Sequence, residues 1–156
     1  FEAGTFSVNL EGETWRLLWP VFMAVEALIT AKQPDLILVE KTSSFAGGFI
    51  TGQVSHCMGS ILTCCGKHNK HVEFLYPTHV KKVVTGKGRA TKGLIKKSVK
   101  SIVQSINGTN MIFDSEHACD ATANILCWLL EHDYWSAGCH DMGRKIESSK
   151  NSSINR

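Results

Sequence analysis

Glu40 stands directly after the apolar run Leu36-Ile37-Leu38-Val39, and far downstream His117 and Asp120 stand three residues apart. A short apolar run bounded by turn signals predicts a buried parallel strand. Glu40 then falls at a strand's carboxyl end, where the ligand crevices of open α/β sheets lie. A carboxylate there must stay solvated or meet something positive, because a lone buried carboxylate is costly. Helical positions three apart share a face, so the imidazole and carboxylate at 117 and 120 can converge on one ion. Two carboxylates and a histidine from distant segments could hold divalent metal ions, and a pair of such ions activates water and stabilises the leaving oxygen in phosphodiester hydrolysis. The same residues also fit a plainer role, since acids at a helix start complement its dipole.

Between these two motifs the chain is strongly basic. Residues 67–104 hold ten basic side chains against one acidic, while residues 1–66 and 105–156 each carry a net charge of −3, so the total of +3 conceals the division. Charge of one sign gathered in one segment attracts polyanions, of which phosphate backbones are the commonest. Nucleic acid is the partner this predicts, with a solvated lysine-rich face as the alternative on charge alone.

The elements that must position these groups follow from periodicity. Phe1 to Asn9 alternates partly and reads as a strand, followed by an apolar helix from about Trp15 or Pro20 to Lys32 that Gln33-Pro34-Asp35 ends. Phe45 to Cys65 is rich in Gly, Ala and Ser, which as a helix would let another element approach closely. Val72 to Tyr76 is a second strand stopped by Pro77, and Thr78 is placed to cap a short helix through Val84 before the cationic loop Gly86-Lys87-Gly88-Arg89. From Thr91, residues Leu94, Ile95, Val99, Ile102, Val103 and Ile106 share one helical face, with Lys92, Lys96, Lys97 and Lys100 away from it. Asn107-Gly108 closes that helix, and a last one runs from about Ser115 to Glu131, burying Ile125, Leu126, Leu129 and Leu130. Strands alternating with helices predict an α/β layered fold with at least part of a parallel sheet.

Other classes are excluded on composition. With 43% apolar residues in 156 and only three prolines, the chain can build one core and is not disordered. Trp15 to Ala31 is interrupted by Arg16, Pro20 and Glu26, too polar for a spanning helix, and no export signal or membrane segment is visible. Six cysteines show no framework spacing, which predicts a reducing intracellular setting. Cys64-Cys65-x-x-His68-x-x-His71 is a poor zinc motif, because adjacent cysteines close a tetrahedron badly and no second pair follows.

The order of motifs across residues 1–131 resembles the RuvC family of Holliday junction resolvases, crossover junction endodeoxyribonucleases of ribonuclease H-like fold. Gln33 to Glu40 resembles the family's helix exit and fourth strand with its glutamate, and Gly52-Gln53 its Gly-Gln step. Val80-Lys81-Lys82-Val83-Val84-Thr85-Gly86-Lys87-Gly88-Arg89-Ala90-Thr91-Lys92 is similar, without a gap, to its Val-Lys…Gly-x-Gly-x-Ala-x-Lys segment. His117-Ala118-Cys119-Asp120-Ala121 resembles the closing Asp-Ala-Ala-Asp-Ala motif, with the histidine some members carry at the first position.

This resemblance implies a mixed sheet flanked by helices, with Glu40, His117 and Asp120 as ligands of Mg²⁺ or Mn²⁺, two ions per site. It implies Lys81 and Lys92 at the scissile phosphate, Lys92 among the catalytic groups, and Lys82, Lys87, Arg89 and Lys96 on the DNA backbone. Phe45, or else Phe49, is the expected wedge into the junction, with a core position for both as the alternative. The implied partners are four-way junction DNA, a second copy of the chain and a branch-migration helicase, in the cytoplasm of a bacterium or of a virus-infected bacterial cell.

The family's opening Gly-Ile-Asp-Pro-Gly strand has no counterpart here, and Phe1 to Asn9 instead resembles its third strand. The expectation is therefore a nuclease domain over 1–143 that is incomplete at its N-terminus, lacking the first two strands, with a polar tail over 144–156. A non-catalytic junction binder and a related branched-DNA nuclease are the rival expectations.

Overall fold

The computed structural model describes residues 14–41, 48–108 and 112–132. In chain order these form α1 (Thr14–Lys32), β1 (Leu36–Glu40), α2 (Gly48–Lys67), β2 (His71–Leu75), α3 (Pro77–Thr85), α4 (Lys92–Asn107) and α5 (Glu116–Glu131). The segments Phe1 to Asn9 and 144–156, and residue Phe45, lie outside the described residues.

β1 and β2 pair in parallel, from Leu36 opposite His71 to Glu40 opposite Leu75. A parallel pair needs a crossover, which α2 supplies. Alternation along β1 divides the core into two. Ile37 faces the cluster of Ile29, Cys64 and Cys65 under α1 and α2, whereas Leu38 packs on the larger cluster built from β2, α3, α4 and α5. Leu126, Val99 and Val103 are fully buried in the larger cluster, each contributing about 1.5–3 kcal/mol by removal from water. Helices therefore cover both faces of the parallel pair, the arrangement expected of such strands. No helix among the described residues is long and apolar enough to cross a membrane.

The local rules account for several helix ends. Thr91 accepts from the Leu94 amide to start α4, and Ser115 accepts from the Ala118 amide to start α5. Gly86 (φ 74°) ends α3 and Gly108 (φ 70°) ends α4 in the left-handed conformation that only glycine adopts freely. α1 starts at Thr14, next to the expected start at Trp15, so that Pro20, the other expected start, lies inside it. Two further expectations are corrected. Thr78 does not cap α3, which begins one residue earlier with Pro77 at its first position, where its fixed φ suits the first turn. Ile125 is not buried but 39% exposed, because its side of α5 opens onto a cleft rather than the core.

Candidate active site and cationic surface

β1 carries Glu40 to the carboxyl end of the parallel pair, where it is exposed. The Lys41 amide donates to the Leu75 carbonyl at 2.8 Å, extending the ladder one step and fixing how the chain leaves the sheet at Glu40. The Ser115 cap, with the Ala118 amide 3.0 Å from Oγ, fixes the first turns of α5 and hence His117 and Asp120. Buried Ala118 and Thr122 hold the opposite side of that helix, the Thr122 hydroxyl donating back to the Ala118 carbonyl at 2.8 Å.

Packing of α5 on β1 brings the two distant motifs together. Glu40, His117 and Asp120 line one open cleft of about 880 Å³. A smaller recess of about 110 Å³ is lined by Glu40, Asp120, Lys81 and Lys92, with Val80 and Ala123 against it. Glu40, His117 and Asp120 are neighbours without closing on a common point. Among the described residues, the set of three whose ligand atoms all lie within 4.8 Å of one another is instead His79, Cys127 and Glu131.

Asn124 was not singled out from sequence, although positions 117, 120 and 124 follow helical spacing on one face. It is 7% exposed, lines the same cleft, and its Oδ1 is the buried side-chain atom left without a hydrogen-bond partner among the described residues. An unpaired buried acceptor costs about 1–3 kcal/mol, and because this oxygen is out of solvent contact the side chain must turn toward the cleft to accept from water or a cation. With two carboxylates and an imidazole beside it, the donor set is mainly oxygen and fits Mg²⁺ or Mn²⁺.

The cations fall into two groups. Lys81 and Lys92 border the recess itself, and Lys96 joins Lys92, Glu116 and Asp120 around a second hollow of about 100 Å³. Lys92 Nζ lies 2.5 Å from Glu116 Oε2. That contact, with a further contribution from Asp120, raises the Lys92 pKa, and Lys92 in turn lowers that of Glu116. Lys82, Lys87 and Arg89 are exposed on α3 and the turn after it, away from the recess. The residues of the weak zinc motif are dispersed: Cys64 and Cys65 are buried under α1, His68 Nε2 lies 3.1 Å from Glu26, and His71 Nε2 lies 3.4 Å from Glu73.

Fold and site define an α/β protein whose acidic centre, at the carboxyl end of a parallel strand, adjoins a cationic surface. The chain belongs to the crossover junction endodeoxyribonuclease RuvC family, whose model matches residues 2–128. The protein named crossover junction endodeoxyribonuclease RuvC from Rickettsia akari is 29% identical over 121 residues, covering 78% of this chain and 74% of that protein. The one of that name from Petrotoga mobilis is 30% identical over 124 residues, covering 80% and 74%. The Thermus thermophilus RuvC structure superposes with a TM-score of 0.71 at 17% identity, covering 85% of this chain and 77% of that one. The T. thermophilus RuvC in complex with Holliday junction substrate gives 0.68 at 15% identity. The fold is therefore the ribonuclease H-like α/β fold, and the family is one of DNA-hydrolysing enzymes by the names of its members.

Proposed function

We propose that this chain acts on four-way DNA junctions as a homodimer, each subunit hydrolysing one phosphodiester. The observation that carries the reading is the recess in which Glu40 and Asp120 face Lys81 and Lys92. Two acids and two cations from β1, α5, α3 and α4 meet there, which a capping role for Asp120 alone does not explain.

Glu40, Asp120 and His117 would hold Mg²⁺ or Mn²⁺, with Asn124 lining the same cleft. Ions bound there would supply a polarised water and neutralise charge at the phosphate. Lys81 and Lys92 would bind the non-bridging oxygens of the scissile phosphate and orient it toward the carboxylates. To do so, Lys92 exchanges Glu116 for phosphate. Lys82, Lys87, Arg89 and Lys96 would grip flanking backbone, which positions DNA without reading sequence.

A second copy has a suitable surface in the groove between α1 and α2, lined by Leu18, Trp19, Phe22, Ser55, Gly59 and Ser60. Trp19 is 65% exposed there, and a Cβ added at Gly52 or Gly59 would meet nothing within 4 Å in this chain. Two-fold symmetry would then match two opposed strands of a junction. Five cysteines among the described residues are free thiols, which supports a reducing, intracellular setting.

The test is cleavage of synthetic four-way junctions in Mg²⁺ or Mn²⁺ by the chain and by Glu40→Gln and Asp120→Asn. Paired nicks lost in both variants while junction binding persists support the reading. Tight binding with no cleavage in either ion would leave a junction-binding protein. Faster cleavage of open flaps would make it a general branched-DNA nuclease.

A further inference from the structure

A second set of ligand atoms lies away from the candidate active site. His79 projects from the first turn of α3, and Cys127 and Glu131 stand one turn apart on α5. His79 Nε2 is 2.7 Å from Glu131 Oε1, and the Cys127 thiol donates to Glu131 Oε2 at 3.7 Å. All three ligand atoms lie within 4.8 Å of one another. Along α5, Cys127 is seven residues and Glu131 eleven residues beyond Asp120, or about 10 and 16 Å at the helical rise. The set is thus separate from the recess around Glu40 and does not depend on the function proposed for it.

We propose that His79, Cys127 and Glu131 bind a Zn²⁺-class transition-metal ion that ties α3 to α5. One imidazole, one thiolate and one carboxylate form a mixed N, S, O set, with water completing the tetrahedron. With metal–sulfur bonds of about 2.3 Å and metal–nitrogen or metal–oxygen bonds of about 2.0–2.2 Å, tetrahedral donors stand about 3.3–3.7 Å apart. The separation of Cys127 Sγ from Glu131 Oε2 already has that value, whereas His79 lies nearest the other oxygen, Oε1, so the carboxylate would turn or bind through both oxygens. The His79–Glu131 separation is that of a proton-mediated contact and must widen by roughly 0.6 Å. Both of these side chains are accessible, at 46% and 36% exposure, and so free to make that adjustment.

The plain alternative is a surface ion pair beside a buried thiol that acts as a small hydrophobe. Against it, Cys127 is the one thiol among the described residues that donates to a side-chain carboxylate, although Cys64, Cys65 and Cys119 are buried as well. Coordination would release the thiol proton to solvent along with any proton shared by His79 and Glu131. The sulfur and imidazole donors select against Mg²⁺ and Ca²⁺, which separates this site chemically from the oxygen-rich cleft.

Titration of the full chain with Co²⁺ tests the proposal. With Mg²⁺ in excess to occupy the cleft at Glu40, the expected result is one thiolate-ligated equivalent with a near-ultraviolet thiolate-to-cobalt charge-transfer band and tetrahedral visible bands, displaced by Zn²⁺. Cys127→Ser should abolish the charge-transfer band. His79→Gln and Glu131→Gln, at accessible positions that leave the core intact, should each weaken Co²⁺ binding at least about tenfold and remove the rise in Tm produced by Zn²⁺. Absence of the band in the native chain overturns the proposal. So does a band of undiminished affinity in His79→Gln and Glu131→Gln, even if Cys127→Ser fails to fold.

Discussion

Replacing Lys87 and Arg89 together by alanine should flatten the salt dependence of junction binding without touching the recess. Each phosphate neutralised by a protein cation releases counterions, so log K falls with log salt at about −0.9 per contact. Lys81, Lys82, Lys87, Arg89, Lys92 and Lys96 offer six such contacts per subunit and twelve in the proposed dimer, for a slope of about −10.8. Between about 50 and 200 mM salt this weakens binding by roughly three millionfold, whereas a variant dimer with eight contacts, slope about −7.2, loses only about twenty thousandfold. The two residues suit the experiment because both are exposed in the turn between α3 and α4, have no carboxylate partner among the described residues, and do not border the cleft. Fluorescence anisotropy of a labelled four-way junction in EDTA measures the slope, and an unchanged Tm confirms the fold. A native slope shallower than about −2, or a variant slope within about 0.5 of native, would refute the assignment of this segment as the phosphate-binding surface.

Leu126→Ala removes a fully buried side chain from the larger core and should cost about 3 kcal/mol, lowering Tm by roughly 6–12 °C in a thermal melt. Asn124→Leu replaces the buried amide whose Oδ1 is unpaired; without divalent metal it should raise stability by about 1 kcal/mol, and a fall would mean that the amide is satisfied within the chain. Lys67 and His68 lower the Glu26 pKa from its ordinary 4.5. That contribution is therefore complete above pH 4.5 and fades as pH falls through the lower folded value. Melts across this acid range should show Glu26→Gln with a flatter loss of Tm than the native chain, and parallel curves would sink the assignment.

The sequence was most legible where local rules and burial agree. The run Leu36 to Val39 had no competing period, so its strand and Glu40 at its end were fixed by turn signals on either side. The α4 face could be counted directly, and Ile95, Val99, Ile102 and Val103 are buried as that count requires. Caps at Thr91 and Ser115 follow from the side-chain oxygen each can offer an orphan amide. Pro20 was harder, since a proline that begins one helix can lie inside a longer one when packing against α2 outweighs the lost hydrogen bond. Ile125 was misread because periodicity gives the apolar side of a helix but not which of its edges faces a cleft.

Groups whose meaning depends on a second element could not be read at all. Asn124 is ordinary until its neighbours are known to leave Oδ1 unpaired, and Cys127 is a core thiol until α3 brings His79 to Glu131. Both lie on α5, which also carries His117 and Asp120, so one helix bears the residues proposed for a hard cation near its start and those proposed for a softer one at its end. The two are linked mechanically, because α3 bears both His79 and Lys81. A cation at the far end of α5 would fix the crossing of α3 and α5, and with it the approach of Lys81 to Glu40 and Asp120. His79→Gln should then leave the donors in the recess intact while loosening the geometry in which Lys81 meets a phosphate.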